Sequence, residues 1–314
     1  MPNSFIYESA PFPSCHASTI VDTADGSLLA AWFGGTKEGA NDVAIWLSRQ
    51  SDGGWSAPEK VHEEKGVPCW NPVLFRERKS GDVTLFYKAG TSPMTWSGFY
   101  RRSHDGGRTF GHSYIMPAGL LGPIKNKPVQ LDDGSIVSPT SVESYRTWAC
   151  WAERSTDGGR TWTRHGPIAH PEQPHGLIQP AILKRKNGDL FMLMRSRMIG
   201  QVCRSDSRDG GVTWSHAAAV ASLPNPNSGI DAVTLADGRH VLIYNPVHMG
   251  RTPLALAISS DDGETWQAGK TLESEPGEYS YPAIIQAADG AVHLTYTWKR
   301  ERIRHWKLMP NELS

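Results

Sequence analysis

Ser103-His104-Asp105-Gly106-Gly107-Arg108-Thr109-Phe110 recurs as Ser155-Thr156-Asp157-Gly158-Gly159-Arg160-Thr161-Trp162, then as Ser207 to Trp214 and Ser259 to Trp266. The first serines of successive copies stand 52 residues apart, so the chain is an array of one unit. A degraded copy, Ser48-Arg49-Gln50-Ser51-Asp52-Gly53-Gly54-Trp55, lies 55 residues before the first and keeps its serine, a glycine and the closing aromatic. Each copy reads as a hairpin turn. Asp and Ser side chains bond nearby backbone, the glycines accept positive φ, and the Trp or Phe packs between strands.

Between the turns lie short runs rich in Val, Ile, Leu and aromatics, punctuated by Asp25-Gly26, Asp133-Gly134, Asn187-Gly188, Asp237-Gly238 and Asp289-Gly290. Roughly four strands fall in each unit, and a four-stranded unit with this period is a propeller blade. The expectation is an all-β, six-bladed β-propeller of antiparallel blades forming one domain over residues 1–314. The last unit, Tyr281 to Leu308, holds only three strand-like runs. Phe5-Ile6-Tyr7 is expected to supply its outer strand and so remove two exposed sheet edges.

The chain has 314 residues, 39% of them hydrophobic, enough for a substantial core. With 32 basic and 32 acidic residues and no long charge run, it has the signature of neither a nucleic-acid binder nor a protein of anionic membranes. A small partner is expected. Met1-Pro2-Asn3-Ser4-Phe5 has neither a basic n-region nor an apolar run, which predicts a cytoplasmic protein unless a leader has been removed. Cys15, Cys69, Cys150 and Cys203 lack C-x-x-C spacing and read as reduced thiols. No phosphate loop or metal-ligand cluster stands out, so neither cofactor nor metal is expected.

The repeated turns and their surroundings resemble the Asp boxes of the sialidase superfamily over most of the chain. Proteins without enzymatic activity also carry such boxes, so function has to be read from the residues between them. In sialidases three arginines grip the substrate carboxylate, a task suited to the planar guanidinium fork. Leu190-Phe191-Met192-Leu193-Met194-Arg195 resembles the context of the second, and Arg251, eight residues before Ser259, that of the third. Where the family has its first arginine this chain has His16, in Cys15-His16-Ala17-Ser18-Thr19. The departure implies either that Lys125 or Lys127 helps hold the acid group or that the substrate is not an ordinary sialoside.

The resemblance further implies a general acid on the loop Gly34-Gly35-Thr36-Lys37-Glu38-Gly39-Ala40-Asn41-Asp42. Glu38 is the first choice and Asp42 the second. The nucleophilic tyrosine is expected in Glu278-Tyr279-Ser280-Tyr281-Pro282. Counting back from Asp289-Gly290 selects Tyr281, ranked first, and the Tyr-Ser dipeptide selects Tyr279. An ordinary strand would place both side chains on one face. A tyrosine is a poor nucleophile at neutral pH and the family pairs it with a glutamate before a proline. Here that dipeptide is Gln179-Pro180, leaving Glu143 or Glu278 as substitute bases.

Further polar residues stand at inner-strand starts: Asn71 in Trp70-Asn71-Pro72, Lys127 before Pro128, and Asp231 at the end of Asn225-Pro226-Asn227-Ser228-Gly229-Ile230-Asp231. Together with Trp70 and Trp96 as possible stacking faces, they suggest a sugar-binding mouth. The resulting expectation is a retaining, sialidase-like exo-glycosidase that releases a terminal acidic sugar. The alternatives are a uronate lyase using His16 or a tyrosine, and a carbohydrate-binding propeller without catalysis.

Overall fold

Six antiparallel sheets follow one another along the chain, each four strands deep, with an additional short pairing in the first. This computed structural model describes residues 3–51 and 54–314. Met1 and Pro2, and Asp52 and Gly53 of the degraded repeat, lie outside the described residues. The innermost strands of blades 1 to 6 are Ser14–Asp22, Cys69–Arg76, Val129–Gln130, Leu177–Lys184, Asp231–Thr234 and Tyr279–Gln286. The fold is an all-β, six-bladed propeller. Its outer closing strand is Asn3–Phe5, which pairs with Arg302–Leu308 through Asn3 opposite Trp306 and Phe5 opposite Arg304. Ile6 continues the contact, its N–H reaching Ile303 O at 2.9 Å.

Each blade is covered on both faces by its neighbours, and so its middle strands are apolar without alternation. Every residue of Leu190–Ser196 is buried, and Leu29, Ile45 and Leu47 of blade 1 pack with Leu74, Leu85 and Tyr87 of blade 2. Truncating any one of these leucines to alanine costs about 2–5 kcal/mol. Cys15, Cys69, Cys150 and Cys203 are buried within this packing as free thiols.

The repeated turns form one hydrogen-bonded device. In all four copies the serine Oγ accepts the buried N–H of the second glycine at 2.7–2.9 Å and donates to the aspartate Oδ1 at 2.7–2.9 Å. The other carboxylate oxygen accepts the threonine hydroxyl at 2.5–2.6 Å. Arginines from the third strands then stitch each blade to the next turn. Arg49 donates to Gly106 O, Arg102 to Gly159 O, Arg154 to Gly210 O and Arg204 to Gly263 O, at 2.6–3.2 Å. All four bonds lie at the end of the propeller away from the loops that join second to third strands.

At that opposite end, which carries the candidate site, the inner strands share a second device. In blades 1, 2, 4 and 6 the ladder shifts register, and Ala17, Asn71, Gln179 and Tyr281 take left-handed φ of 58°, 37°, 53° and 50°. Such backbone costs about 1–3 kcal/mol per residue and concentrates where a side chain must be re-aimed. The Xaa-Pro dipeptides at 71–72, 179–180 and 281–282 mark these bulges.

Candidate active site

Tyr281 is the hub. Its bulge reverses the expectation that it shares a face with Tyr279. Tyr279 turns into the core, buried among Leu254, Ile284 and Tyr296, with the Tyr296 ring edge-on at 6.5 Å. The left-handed residue breaks the two-residue alternation, which is why the simple strand rule misplaces the pair. Tyr279 is therefore a packing residue. The Tyr281 ring is half-buried in the channel mouth, against His16 at a centroid distance of 4.1 Å.

The Tyr281 oxygen is held by donors. Gln179 Nε2 lies at 3.0 Å and Arg195 Nη1 at 3.1 Å, while Gln179 Oε1 accepts the same Arg195 nitrogen at 3.0 Å. An arginine can only donate, so the Gln179 amide has its oxygen toward Arg195 and its nitrogen toward Tyr281. Arg195 ends the second strand of blade 4, and its Nε donates to Asn227 Oδ1 at 2.8 Å. Among the described residues no carboxylate lies within hydrogen-bond range of the phenol oxygen.

Arg251 reaches the mouth from the blade 5 loop between His240–Tyr244 and Leu254–Ser259. Buried Asn245 pins that loop by donating to Arg251 O, Pro253 O and Tyr279 O at 3.0, 2.9 and 3.1 Å. The Arg251 guanidinium lies 6.0 Å from the Tyr281 ring centre and donates to Glu278 Oε1 at 3.3 Å. A third guanidinium shares this carboxylate. Arg300 Nε donates to Glu278 Oε1 at 2.7 Å and its Nη1 to Glu38 Oε2 at 2.6 Å. Arg300 occupies the tight turn of the last blade, where Lys299 and Arg300 both have positive φ, 52° and 63°.

The other expected residues are dispersed. Asp42 takes the Thr36 N–H and hydroxyl at 3.0 and 2.5 Å, so it braces the loop that carries Glu38. Lys125 does not offer its charge to an acid group at the surface. Its buried ammonium donates to Asn126 Oδ1 at 2.8 Å, to Ile230 O at 2.9 Å and to Pro282 O beneath Tyr281. Burial pushes this lysine down to about 7, against the pull of Asp231.

Lys127 and Asp231 pair with each other at 2.8 Å, and Asp231 also accepts the Ile284 N–H at 2.9 Å. Asp231 is buried, and Lys127 borders a cavity of about 560 Å³ that opens at the far end. They tie blades together and are not mouth residues. Asn71 is buried at the blade 2 bulge. Trp70 and Trp96 pack edge to face at 6.0 Å, with Trp70 Nε1 donating to Gly90 O at 2.8 Å, so they are structural rather than stacking faces. Of the substitute bases, Glu278 is tied to two arginines. Glu143 stands opposite Trp148, whose ring faces Arg195 at 5.9 Å, and burial pushes its carboxyl up, with Arg195 opposing and Glu38 adding.

Arg300, Asn227 and the structural role of Glu278 were missed from sequence. Asn227 had a signal in its Asn-Pro-Asn context, whereas Arg300 in Trp298-Lys299-Arg300-Glu301 had none, because no Asn-Gly or Asp-Gly marks the turn. Among the described residues there is no group of three or more His, Cys, Asp or Glu arranged to hold a metal ion. Among the described residues no helix is long and apolar enough to cross a membrane.

A six-bladed, Asp-boxed propeller with an arginine-lined mouth around a tyrosine defines the structural class. Residues 26–294 match the BNR repeat-like domain, and the chain belongs to that family, within the sialidase superfamily. It is 24% identical over 331 residues to a sialidase of Micromonospora viridifaciens, covering 91% of this chain and 50% of that protein. A sialidase of Bacteroides fragilis is 23% identical over 327 residues, covering 88% and 58%. The chain thus spans about half the length of the curated relatives it matches. The NanB sialidase from Streptococcus pneumoniae superposes with a TM-score of 0.82 over 100% of this chain and 71% of that one, at 12% identity, which shows the shared fold.

Proposed function

We propose that this propeller is a retaining, sialidase-like exo-glycosidase that releases a terminal acidic sugar, with Tyr281 as nucleophile. The observation that carries the reading is the convergence of Arg195 and Arg251 on Tyr281, with Arg300 joined to Arg251 through the shared Glu278 carboxylate. Guanidinium forks are suited to a planar carboxylate. An acidic sugar held by them presents its anomeric carbon to the phenol oxygen, which attacks as the glycosidic C–O bond breaks. The tyrosine nucleophile is a known exception among glycosidases to the two-carboxylate scheme.

Gln179 cannot remove the phenol proton, which passes to water, and Arg195 Nη1 faces the charge that develops on the oxygen as it leaves. Glu38 donates the proton to the leaving oxygen. In the free site Arg300 holds Glu38, and the substrate carboxylate displaces it from that guanidinium. Water then attacks the glycosyl-tyrosine bond, returning the sugar with retained configuration and a free phenol. A second reading rests on the donor-only environment of the phenol. The same mouth, lacking a base, would bind an acidic sugar without turning it over.

The test is intact-protein mass spectrometry after incubation with 2,3-difluoro analogues of sialic and related acids, alongside product analysis on sialosides and glucuronides. The expected result is one sugar adduct mapped to Tyr281 and absent from Tyr281→Phe, with Glu38→Gln slowing turnover more than Glu143→Gln. Saturable binding without adduct or product would establish the lectin reading. An unsaturated uronate product would establish a lyase.

A further inference from the structure

His16 occupies the position at which the superfamily resemblance calls for an arginine, and the surrounding hydrogen bonds fix its chemistry. Its ring is almost wholly buried, with Tyr281 against one face at 4.1 Å and the edge of Phe33 at 5.7 Å. Nδ1 lies 3.0 Å from Thr297 Oγ1. The same hydroxyl oxygen accepts the Ala17 N–H at 3.2 Å, because the left-handed bulge at Ala17 turns that amide toward Thr297.

Thr297 is fully buried and has one hydrogen to give. If it donates to Nδ1, both groups are satisfied and the imidazole proton sits on Nε2. In the opposite tautomer Nδ1–H donates to Thr297, and the threonine hydrogen has no acceptor among the described residues. An unsatisfied buried hydroxyl is the costlier arrangement. Nε2 has no protein partner among the described residues but is not among the fully buried polar atoms, so its N–H can be satisfied from the mouth whereas the Thr297 hydrogen cannot, and the count selects the Nε2–H form.

The charges facing this ring come from every element around it. Arg300 lies on the last blade's turn, Arg251 on blade 5, Arg195 on blade 4 and Lys125 on blade 3, with Glu38 and Glu278 paired to Arg300 and Arg251. Burial first, then Arg300, Arg251, Arg195 and Lys125 in that order, hold the imidazole well below its ordinary value.

We propose that His16 is a permanently neutral Nε2–H donor which, together with Arg300, performs the work of one guanidinium: Arg300 supplies the positive charge and His16 the directional hydrogen bond to the ligand's acid group. The assignment of the ligand as an acidic sugar rests on the proposed function. The protonation state of His16 does not.

The experiment uses the full chain with ¹⁵N-labelled imidazoles and long-range ¹H–¹⁵N correlation, the His16 signals being assigned by their loss in His16→Gln. One nitrogen should be of the protonated, pyrrole type and the other of the bare, pyridine type, with Nε2 protonated and no titration between pH 5 and 8. Adding 2-deoxy-2,3-didehydro-N-acetylneuraminic acid should shift the Nε2–H signal. His16→Gln, which keeps an N–H donor, should bind that probe within about fivefold of the parent at both ends of the pH range, and His16→Phe should lose at least thirtyfold.

A midpoint near 6.5, a proton on Nδ1, or equal affinities of the Gln and Phe variants would each overturn the role of His16. They would leave the glycosidase reading standing. If the neutral Nε2–H pattern is observed but the parent protein binds neither this probe nor a glucuronide, the acidic-sugar reading fails while the assigned state of His16 holds.

Discussion

Lowering the pH should loosen the blade that closes the ring before it affects the Asp boxes. In blade 6 the buried rings of His293 and His305 stack at 5.2 Å with only 4° between planes, and His293 Nδ1 lies 2.9 Å from His305 Nε2. His305 also abuts Trp55 of blade 1, edge-on at 5.1 Å, so the pair spans the joint between the last and first blades. Burial first and Lys307 next push His293 down to about 4. Burial, His293 and Lys307 push His305 to about 3. Both rings are neutral when folded. Unfolded, they bind protons near 6.5, so the unfolded state holds more protons below that value and stability is lost as pH falls from 6.5 toward 4.

At pH 5 linkage gives a loss of about 2 kcal/mol for each ring, or ~4 kcal/mol together, a large share of a typical folding free energy of about 5–15 kcal/mol. Few carboxylates oppose or add to the effect in this window. Asp209 and Asp261 of the Asp boxes sit at about 2 and lose their contribution only at lower pH, while Glu143 and Glu153, pushed up by burial, act in the opposite sense. His16, His62 and His240 are also lowered, so the pair must be isolated by difference. Urea unfolding at pH 7.5 and 5.0 should show a loss for the parent about 4 kcal/mol larger than for His293→Gln/His305→Gln, whatever the variant's absolute stability. Equal losses in the two proteins would refute the assignment.

Lys125→Met should lower kcat at least thirtyfold while altering the affinity for the didehydro sugar acid less than threefold, because the ammonium supports the Pro282 carbonyl behind Tyr281 and does not reach the ligand. Steady-state kinetics and titration calorimetry separate the two effects, and an equal loss in both would place Lys125 in the ligand site. Ser207→Ala removes the acceptor of the buried Gly211 N–H and should cost about 1–3 kcal/mol in urea unfolding, with kcat at 25 °C retained.

The blades were legible because a turn repeated at fixed spacing leaves a signal stronger than any single strand, and the Xaa-Pro dipeptides pointed to the strand starts. What those dipeptides concealed was geometry. A residue before proline ordinarily extends, yet Asn71, Gln179 and Tyr281 are left-handed. That conformation separates Tyr281 from Tyr279, draws Gln179 onto the phenol, and depends on neighbouring blades rather than on local preference. Arg195 was legible because Leu190-Phe191-Met192-Leu193-Met194-Arg195 resembles the context of the superfamily's second arginine. Lys125, Lys127 and Asp231 looked like mouth residues because sequence gives no depth along the channel, and their hydrogen bonds turn out to go to carbonyls, an amide and each other, with Asp231 Oδ1 left without a partner among the described residues.

The two departures from the sialidase pattern make physical sense together. Relative to that pattern, histidine for arginine removes one positive charge and glutamine for glutamate removes one negative charge, so these two exchanges cancel in charge while two charged side chains become neutral donors. Arg300, arriving from the strained Lys299-Arg300 turn, brings a guanidinium close to His16, its carbonyl accepting the N–H of neighbouring Cys15 at 2.8 Å. No corresponding carboxylate arrives on the Gln179 side, where Arg195 takes both the amide oxygen and the phenol. On the proposed function the compensation is one-sided: a guanidinium returns for the ligand's acid group, and no base returns for the phenol. A site changed in this way should keep its grip on an acidic sugar across neutral pH and concentrate its loss in kcat. Gln179→Glu is the direct probe, because a carboxylate there would compete with the ligand for Arg195 while offering Tyr281 a base. Affinity for the didehydro acid should fall and kcat should rise, and a fall in both would show that the phenol already works best among donors alone.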